Sequence, residues 1–458
     1  MIQVTRQERH DSISAVPAAA SSPGAFEPGS APSSRWAPRV EAVVAILLFA
    51  FPLFAIAIKS WTSGIYYLIA LIALFALRRP RPPLSHAERM MIGVILFYLA
   101  VTIIANSLSG WTRASVGWYE ADLRILLAIP IYLYLRSRAH LAEWLLRAIP
   151  FAAIISGAYV LWQTVMLDVA RVAGPYGPIF AGDMCALFAV LSLMAMRFRL
   201  YSRRINVPVH AAGFVLGLVG CLLSGTRGAW LALILVLPVL GWNRMRAAPA
   251  RRRRQITLGC LAAAVVAVSA AALLHPDVMK KRVTEIVQQG EQFIDAERGK
   301  RPVPKHLGSI GTRLEQWQVG LQIAREHPLF GIGVGNVLPE LKARVASGKA
   351  HPSVLRPSAG TQRGVHLHSA YVDALVFKGI VGLLALLGIL GFPLWLAMRR
   401  DYVGSAAAGL LAGHVLMIAA FALTEDPFIR NNFSSIYLLF LVSAVSLLLH
   451  KRKDSGVR

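Results

Sequence analysis

The chain is short of acid, of cysteine and of polar sequence, and each shortage excludes a class of protein. Asp and Glu number 23 against 48 Lys and Arg, so a net charge of +25 rides on 458 residues of which 56% are hydrophobic and 16% charged. With a positive mean hydropathy, such a chain cannot cover itself with polar surface as a soluble globule must. The three cysteines, Cys185, Cys221 and Cys260, all fall inside apolar runs, which excludes a disulfide framework of the secreted kind and leaves them a packing role. No H-E-x-x-H, no cysteine pair of zinc spacing and no convincing internal repeat is present.

What is present is a series of apolar blocks. A bilayer core takes about 20 apolar residues per helix, and such runs fall at 40–58, 62–77, 90–108, 122–135, 146–166, 178–197, 207–224, 228–243, 256–274, 374–397, 403–423 and 431–449. The pattern predicts an all-α membrane protein of about twelve transmembrane helices, the fourth of them short. Alternate connections are crowded with arginine: Arg78, Arg79, Arg81 and Arg89; Arg136 and Arg138; Arg197, Arg199, Arg203 and Arg204; Arg244, Arg246 and Arg251 to Arg254; Arg399 and Arg400. By the positive-inside rule these connections and the Lys451-Arg452-Lys453 tail are cytoplasmic, so both termini lie inside. Topology thus accounts for the basic charge, and no nucleic-acid partner is expected.

Residues 1–38, rich in Ala, Ser and Pro, are expected to form a disordered cytoplasmic tail, and the first apolar run an uncleaved anchor. Helices 1–9 are assigned to 39–274, a large outward loop domain to 275–367, helices 10–12 to 368–450 and a basic tail to 451–458. Mixed charge with spaced apolar residues predicts amphipathic helices at Val278–Ile294 and Leu314–Ile323 in the loop, broken at Pro302, Pro304 and Pro328.

Candidate chemistry gathers at the outer ends. Between spans seven and eight, Ser224-Gly225-Thr226-Arg227-Gly228-Ala229 puts a guanidinium almost at membrane depth, either snorkelling to lipid phosphates or clamping a pyrophosphate. Arg124, Arg171 and Arg313 are further outer cations able to line one anionic pocket. The run from His327 to Asn336, with Gly331, Gly333 and Gly335, reads as a close-packed turn or as a phosphate cradle, and lacks a dinucleotide fingerprint. His366, His368 and Ser369 stand where the loop re-enters the membrane, His368 serving either structurally or as a proton acceptor. A metal held by His351, His366 and His368 is the rival use. It is disfavoured because the loop has no Asp-x-Asp to hold a cation on a diphosphate, so arginine must neutralise any diphosphate that leaves.

Three motifs in order around one outer loop resemble the bacterial O-antigen ligases and their polymerase relatives, membrane glycosyltransferases of the C structural superfamily. They are Ser224 to Ala229, the run from Arg313 through Trp317 to His327-Pro328-Leu329 and Gly331 to Asn336, and His368-Ser369. The resemblance implies transfer of a glycan from undecaprenyl diphosphate to a sugar hydroxyl of lipid A-core at the periplasmic face of the bacterial inner membrane, without a cofactor. It implies that Arg227 and Arg313 hold the diphosphate and that His368 is the essential histidine. Topology adds Arg124 and Arg171 to the diphosphate site, and Ser224, Gly225, Gly335, Asn336, His366 and Ser369 are candidate site-lining residues. Attack opposite the leaving group would invert the anomeric centre. An O-antigen polymerase or a protein O-oligosaccharyltransferase would use the same motifs with another acceptor, and a lipid or glycan transporter would bind an anionic cargo without covalent chemistry.

Overall fold

A computed structural model of the chain describes residues 37–77, 82–169, 174–246, 307–355 and 366–454, with isolated residues between 269 and 295. The chain divides into two units, Met1–Val40 and Glu41–Arg458. Of the first, only the opening of helix α1 (Ala37–Ala50) is described, so the expected tail lies outside the described residues. The ninth span expected at 256–274 and most of the helix expected at Val278–Ile294 lie outside them as well.

The second unit is all-helical among the described residues. Six helices are long and apolar enough to cross a membrane: α3 (His86–Ser109), α5 (Ala139–Val165), α6 (Gly177–Ala195, extended by a 3-10 turn to Phe198), α7 (Arg203–Leu223), α11 (Ala370–Met398) and α13 (Asn431–Asp454). Shorter apolar helices are α2 (Trp61–Ala76), α8 (Arg227–Arg246) and α12 (Ala406–Phe421). Two more, α9 (Ser309–Glu326) and α10 (Val337–Ala346), lie in the stretch between α8 and α11. The molecule is a multi-pass membrane protein.

Local signals explain where helices start and stop. The first run ends as an α-helix at Ala50, not at 58, because Pro52 has no N–H to continue the ladder; 3-10-like bonds such as Leu53 N to Ala50 O at 3.2 Å carry the chain to Ser60. The fourth helix, expected at 122–135, is α4 (Arg113–Leu135) and is not short. Thr112 and Ser115 cap its start reciprocally, a signal that hydropathy does not register. Ser85 and Glu88 cap α3 in the same way. Glu88 is then claimed by Arg136 at 2.8 Å and by the Tyr132 hydroxyl at 2.6 Å, so an arginine read only as a topology signal also clamps α3 to α4.

Helices α5, α6 and α7 pack on one another through small residues. A Cβ at Gly157 would sit 2.2 Å from the Leu216 carbonyl oxygen, and one at Gly217 would sit 2.9 Å from that of Cys185, so backbones touch where lipid supplies no hydrophobic drive of its own. Cys185 and Cys221 are buried free thiols in this packing, and Cys260 lies outside the described residues.

The helix ends that frame the site are tied together at one end of the bundle. Asn336 donates to the Ser109 carbonyl at the end of α3 (3.0 Å), Ala370 N at the start of α11 donates to Ala422 O after α12 (2.9 Å), and Thr226 Oγ1 before α8 donates to Pro178 O in α6 (2.8 Å). Helix α11 breaks at Gly379, whose φ of 65° and ψ of −161° suit only glycine, and the Leu329–Gly333 turn fills the break: Ile332 N and Gly333 N donate to Val376 O and Phe377 O at 2.9 and 3.1 Å. The glycine run is therefore a close-packed turn. Gly335 abuts Thr112, and the Asn336 amide donates to Ser109 O and Ile332 O, tying the turn to α3.

Candidate functional site

The site is assembled from three loops that sequence separates widely. Arg227 opens α8 directly after a tight turn in which Ser224 Oγ donates to Cys221 O at 2.7 Å and accepts from Thr226 N at 3.2 Å, while Gly225 takes φ 63°. Ser224 and Gly225 thus shape the turn that aims Arg227. Its guanidinium donates to Ser309 Oγ at 2.5 Å and lies 3.5 Å from Glu285 Oε2. Ser309 is one helical turn ahead of Arg313, and residues four apart share a helix face, so Arg227 meets the face of α9 that carries Arg313.

Arg313 reaches Glu425 Oε2 at 3.8 Å, and Arg430 reaches Glu425 Oε1 at 3.8 Å while donating to Tyr176 O at 2.8 Å. Glu425 stands in the connection between α12 and α13, buried but for 3% of its surface. Its Oε2 is 3.2 Å from His368 Nδ1. His368 itself has φ 54°, a left-handed conformation costly for a side-chain-bearing residue, held by Leu367 N donating to Asp373 Oδ1 at 2.8 Å and by Ala370 N anchored on the Glu425 connection. Strain maintained by surrounding bonds is a mark of sites where orientation matters.

Electrostatics sets the proton positions. Burial acts to raise the Glu425 pKa, but the His368 hydrogen bond and the neighbouring His366, His368 and Arg430 outweigh it and bring it down to about 2, so it is a carboxylate at neutral pH. An ionised carboxylate only accepts, so His368 donates through Nδ1, and Nε2 is the ring nitrogen not engaged by Glu425. His366 stacks beside it, ring centroids 4.3 Å apart, and accepts the His368 N–H on its own Nδ1 at 3.3 Å. Burial foremost, with His368, Arg430 and Arg313 nearby, pushes His366 down to about 3, so it is neutral and structural. The arrangement is an imidazole oriented by a buried carboxylate beside two arginines, Arg313 and Arg430, chemistry that can accept a proton next to an anionic ligand.

Of the residues expected from sequence, the structure brings Arg313, His366 and His368 together around Glu425, with Arg227 joined through Ser309. Ser369 is buried beside them, its Oγ directed at Ala422 O. Arg124 is held elsewhere: buried in α4, it donates to Tyr67 OH at 2.7 Å and stacks on that ring. Arg171 lies outside the described residues. His351 bonds with Ser353 and Glu315, apart from the histidine pair. Sequence reasoning missed Glu425 and Arg430. The signal was there: Glu425-Asp426 is the sole pair of adjacent acids in the chain, and it falls in a short connection between apolar runs.

His366, His368 and Glu425 also form a group whose ligand atoms lie within 4.8 Å of one another, the geometry of a metal-capable triad. Its donors carry one formal negative charge, already shared by Arg313 and Arg430. A divalent cation there would face two guanidinium groups, so the triad suits an anionic ligand better than a metal.

Over 359 residues, 77% of this chain and 84% of the other, the sequence is 22% identical to a Haemophilus influenzae protein described as uncharacterized. Residues 212–387 match the family model described as O-antigen ligase, a segment that contains Arg227, Arg313 and His368 but ends before Glu425. Members of that family are glycosyltransferase-like membrane enzymes. The match, with the ordered motifs and the arginine-flanked histidine that they build, supports an O-antigen ligase/polymerase-family protein.

Proposed function

We propose that the protein is an O-antigen ligase, transferring a glycan from undecaprenyl diphosphate to a sugar hydroxyl of lipid A-core in lipopolysaccharide synthesis. The observation that carries the reading is the Glu425–His368 pair flanked by Arg313 and Arg430. A sugar diphosphate is already a good leaving group, so catalysis needs charge stabilisation, positioning and one deprotonation. Arg227 and Arg313 bind the diphosphate and take up the charge that grows on it, each by a planar fork suited to phosphate oxygens. His368 Nε2 takes the proton of the acceptor hydroxyl as its oxygen attacks the anomeric carbon and the bond to the diphosphate breaks. Attack from the face opposite the leaving group inverts the anomeric centre. No step calls for a metal.

The arginine-crowded connections support a topology with both termini in the cytoplasm of the bacterial inner membrane and the loop before α11 facing the periplasm as its own domain. The test is transfer of polymer from purified lipid-diphosphate donor to lipid A-core in detergent with a chelator present. Transfer by wild type, lost in His368→Ala with donor still bound, is the expected result. Elongation of lipid-linked repeats in place of transfer to core would make the protein a polymerase. Loss of transfer on chelation, restored by a divalent cation, would assign His366, His368 and Glu425 to a metal.

A further inference from the structure

A second cavity, lined by both polar and apolar side chains, adjoins the histidine site. Its walls include Tyr98 and Asn106 of α3, Trp118 and Asp122 of α4, Lys378 of α11 and Asp426. Asp426 directly follows Glu425, and Ala370, two residues after His368, also lines the cavity, so the two sites share an edge. Lys378 Nζ lies 3.0 Å from Asp122 Oδ2 and donates to Thr102 Oγ1 at 2.7 Å, and Asp122 Oδ1 accepts from the Tyr98 hydroxyl at 3.1 Å. Ionisable groups inside a membrane bundle are costly and face a partner or a polar ligand.

The ion pair accounts for Lys378 and Asp122 but leaves Asp426 incompletely used. Asp426 is 7% exposed, its Oδ1 accepts the Phe428 N–H at 2.9 Å, and no hydrogen bond from the described residues reaches Oδ2. Asn106 donates its amide to Thr102 O at 2.9 Å, which keeps its side-chain oxygen as an acceptor. Trp118 is half-buried and meets Phe377 edge to face, ring centroids 5.1 Å apart, so one wall is aromatic. Acceptors of hydroxyl protons beside an aromatic wall are the complement of a sugar: hydroxyls on its rim, C–H groups on its face. A diphosphate is the wrong ligand, since Asp122 already neutralises the single lysine and Asp426 adds no positive charge.

We propose that this cavity is the acceptor subsite: Asp426, Asn106 and the Asp122–Lys378 pair hold hydroxyls of the accepting sugar against Trp118 and so present one hydroxyl to His368. The assignment rests on the transferase reading above. It divides the substrates by charge, the anionic donor on the arginine side and the polyhydroxyl acceptor on the carboxylate side.

The test uses the full chain in nanodiscs, with Asp426→Asn, Trp118→Ala and wild type. Binding of lipid-free core oligosaccharide, released from lipid A by mild acid, is measured by calorimetry, and KM is measured separately for lipid A-core and for the lipid-diphosphate donor. Asp426→Asn keeps one acceptor oxygen and replaces the other by an amide donor, and losing one hydrogen bond weakens binding up to about tenfold. The expected result is a rise of about that size in oligosaccharide Kd and in acceptor KM, with donor KM changed less than about twofold. If Asp426→Asn loses its thermal transition, the partly exposed Trp118→Ala decides. Normal transfer by wild type with acceptor KM unchanged in both variants, or a shift in donor KM instead, overturns the subsite and leaves the ligase reading standing. Oligosaccharide binding that depends on Asp426, without transfer to lipid A-core by wild type, sinks the ligase reading and leaves the subsite.

Discussion

Replacing Glu425 by Gln removes a charge while keeping shape and an acceptor atom. In the folded chain that charge lies 3.2 Å from His368 Nδ1 and 3.8 Å from each of Arg313 and Arg430. A hydrogen bond to an ionised group is worth about 1.5–3 kcal/mol net, and each 1.4 kcal/mol is about tenfold in rate. The variant should therefore slow the chemical step by roughly 10- to 150-fold, with the smaller figure favoured because Gln still offers an oxygen to Nδ1. Removing the base altogether sets the ceiling, about 10²- to 10⁴-fold for His368→Ala. Donor binding should be unchanged or tighter, because two guanidinium groups lose their competing carboxylate. The assay is single-turnover consumption of saturating donor with saturating acceptor, alongside donor binding to the same preparations. Because Glu425 acts through His368, His368→Ala/Glu425→Gln should be no slower than His368→Ala alone. Multiplicative losses in the double variant, or a weakened donor affinity at unchanged turnover, would refute the carboxylate–histidine coupling.

Arg313→Lys keeps the charge but loses the planar fork, and donor KM should rise about tenfold while acceptor KM holds, as steady-state titration of each substrate will report. Gly379→Ala forces φ 65° on a residue with a Cβ and drives that Cβ to 2.2 Å from the Leu329 carbonyl carbon. Backbone strain alone costs about 1–3 kcal/mol, and the thermal midpoint should fall with loss of activity. His366 should carry a share of the stability that acid removes in a defined window. His366 binds its proton near pH 6.5 when unfolded but only at about 3 when folded, so the unfolded chain takes up the extra proton between those values and stability falls as pH drops through them. Glu425 adds to the same slope, contributing stability above about 4.5 that is lost towards about 2. Thermal midpoints measured across pH 3–7 should therefore slope less in His366→Asn than in wild type.

How much of this was legible in the sequence differs by residue. Arg227, Arg313 and His368 stood out because cations and imidazole are conspicuous beside apolar runs, and the glycine run from Gly331 was readable as packing, since glycine marks close approach whatever its partner. Glu425 was not singled out, although its adjacency to Asp426 is unique in the chain. A carboxylate in a short connection looks like solvated surface until its neighbours are known. Arg124 looked like a ligand arginine for the converse reason: its position near a helix end was visible, but the Tyr67 ring that occupies it was not. The start of α4 was misjudged because hydropathy averages over Arg113 to Asp122 and is blind to a cap between Thr112 and Ser115.

The sequence by itself determined the solvent, the architecture class and the reactive side chains. Apolar block length and basic asymmetry are local properties, and a bilayer reads them block by block without reference to fold. Only the tertiary structure decided which residues act together. His368 becomes an oriented imidazole through a carboxylate 57 positions away, and Lys378 becomes one wall of a cavity through Asp122, 256 positions away. Such pairs form because helix ends converge, and convergence depends on how the small-residue faces of α5, α6 and α7 and the broken α11 let helices approach, a property of the packed bundle that no single segment carries.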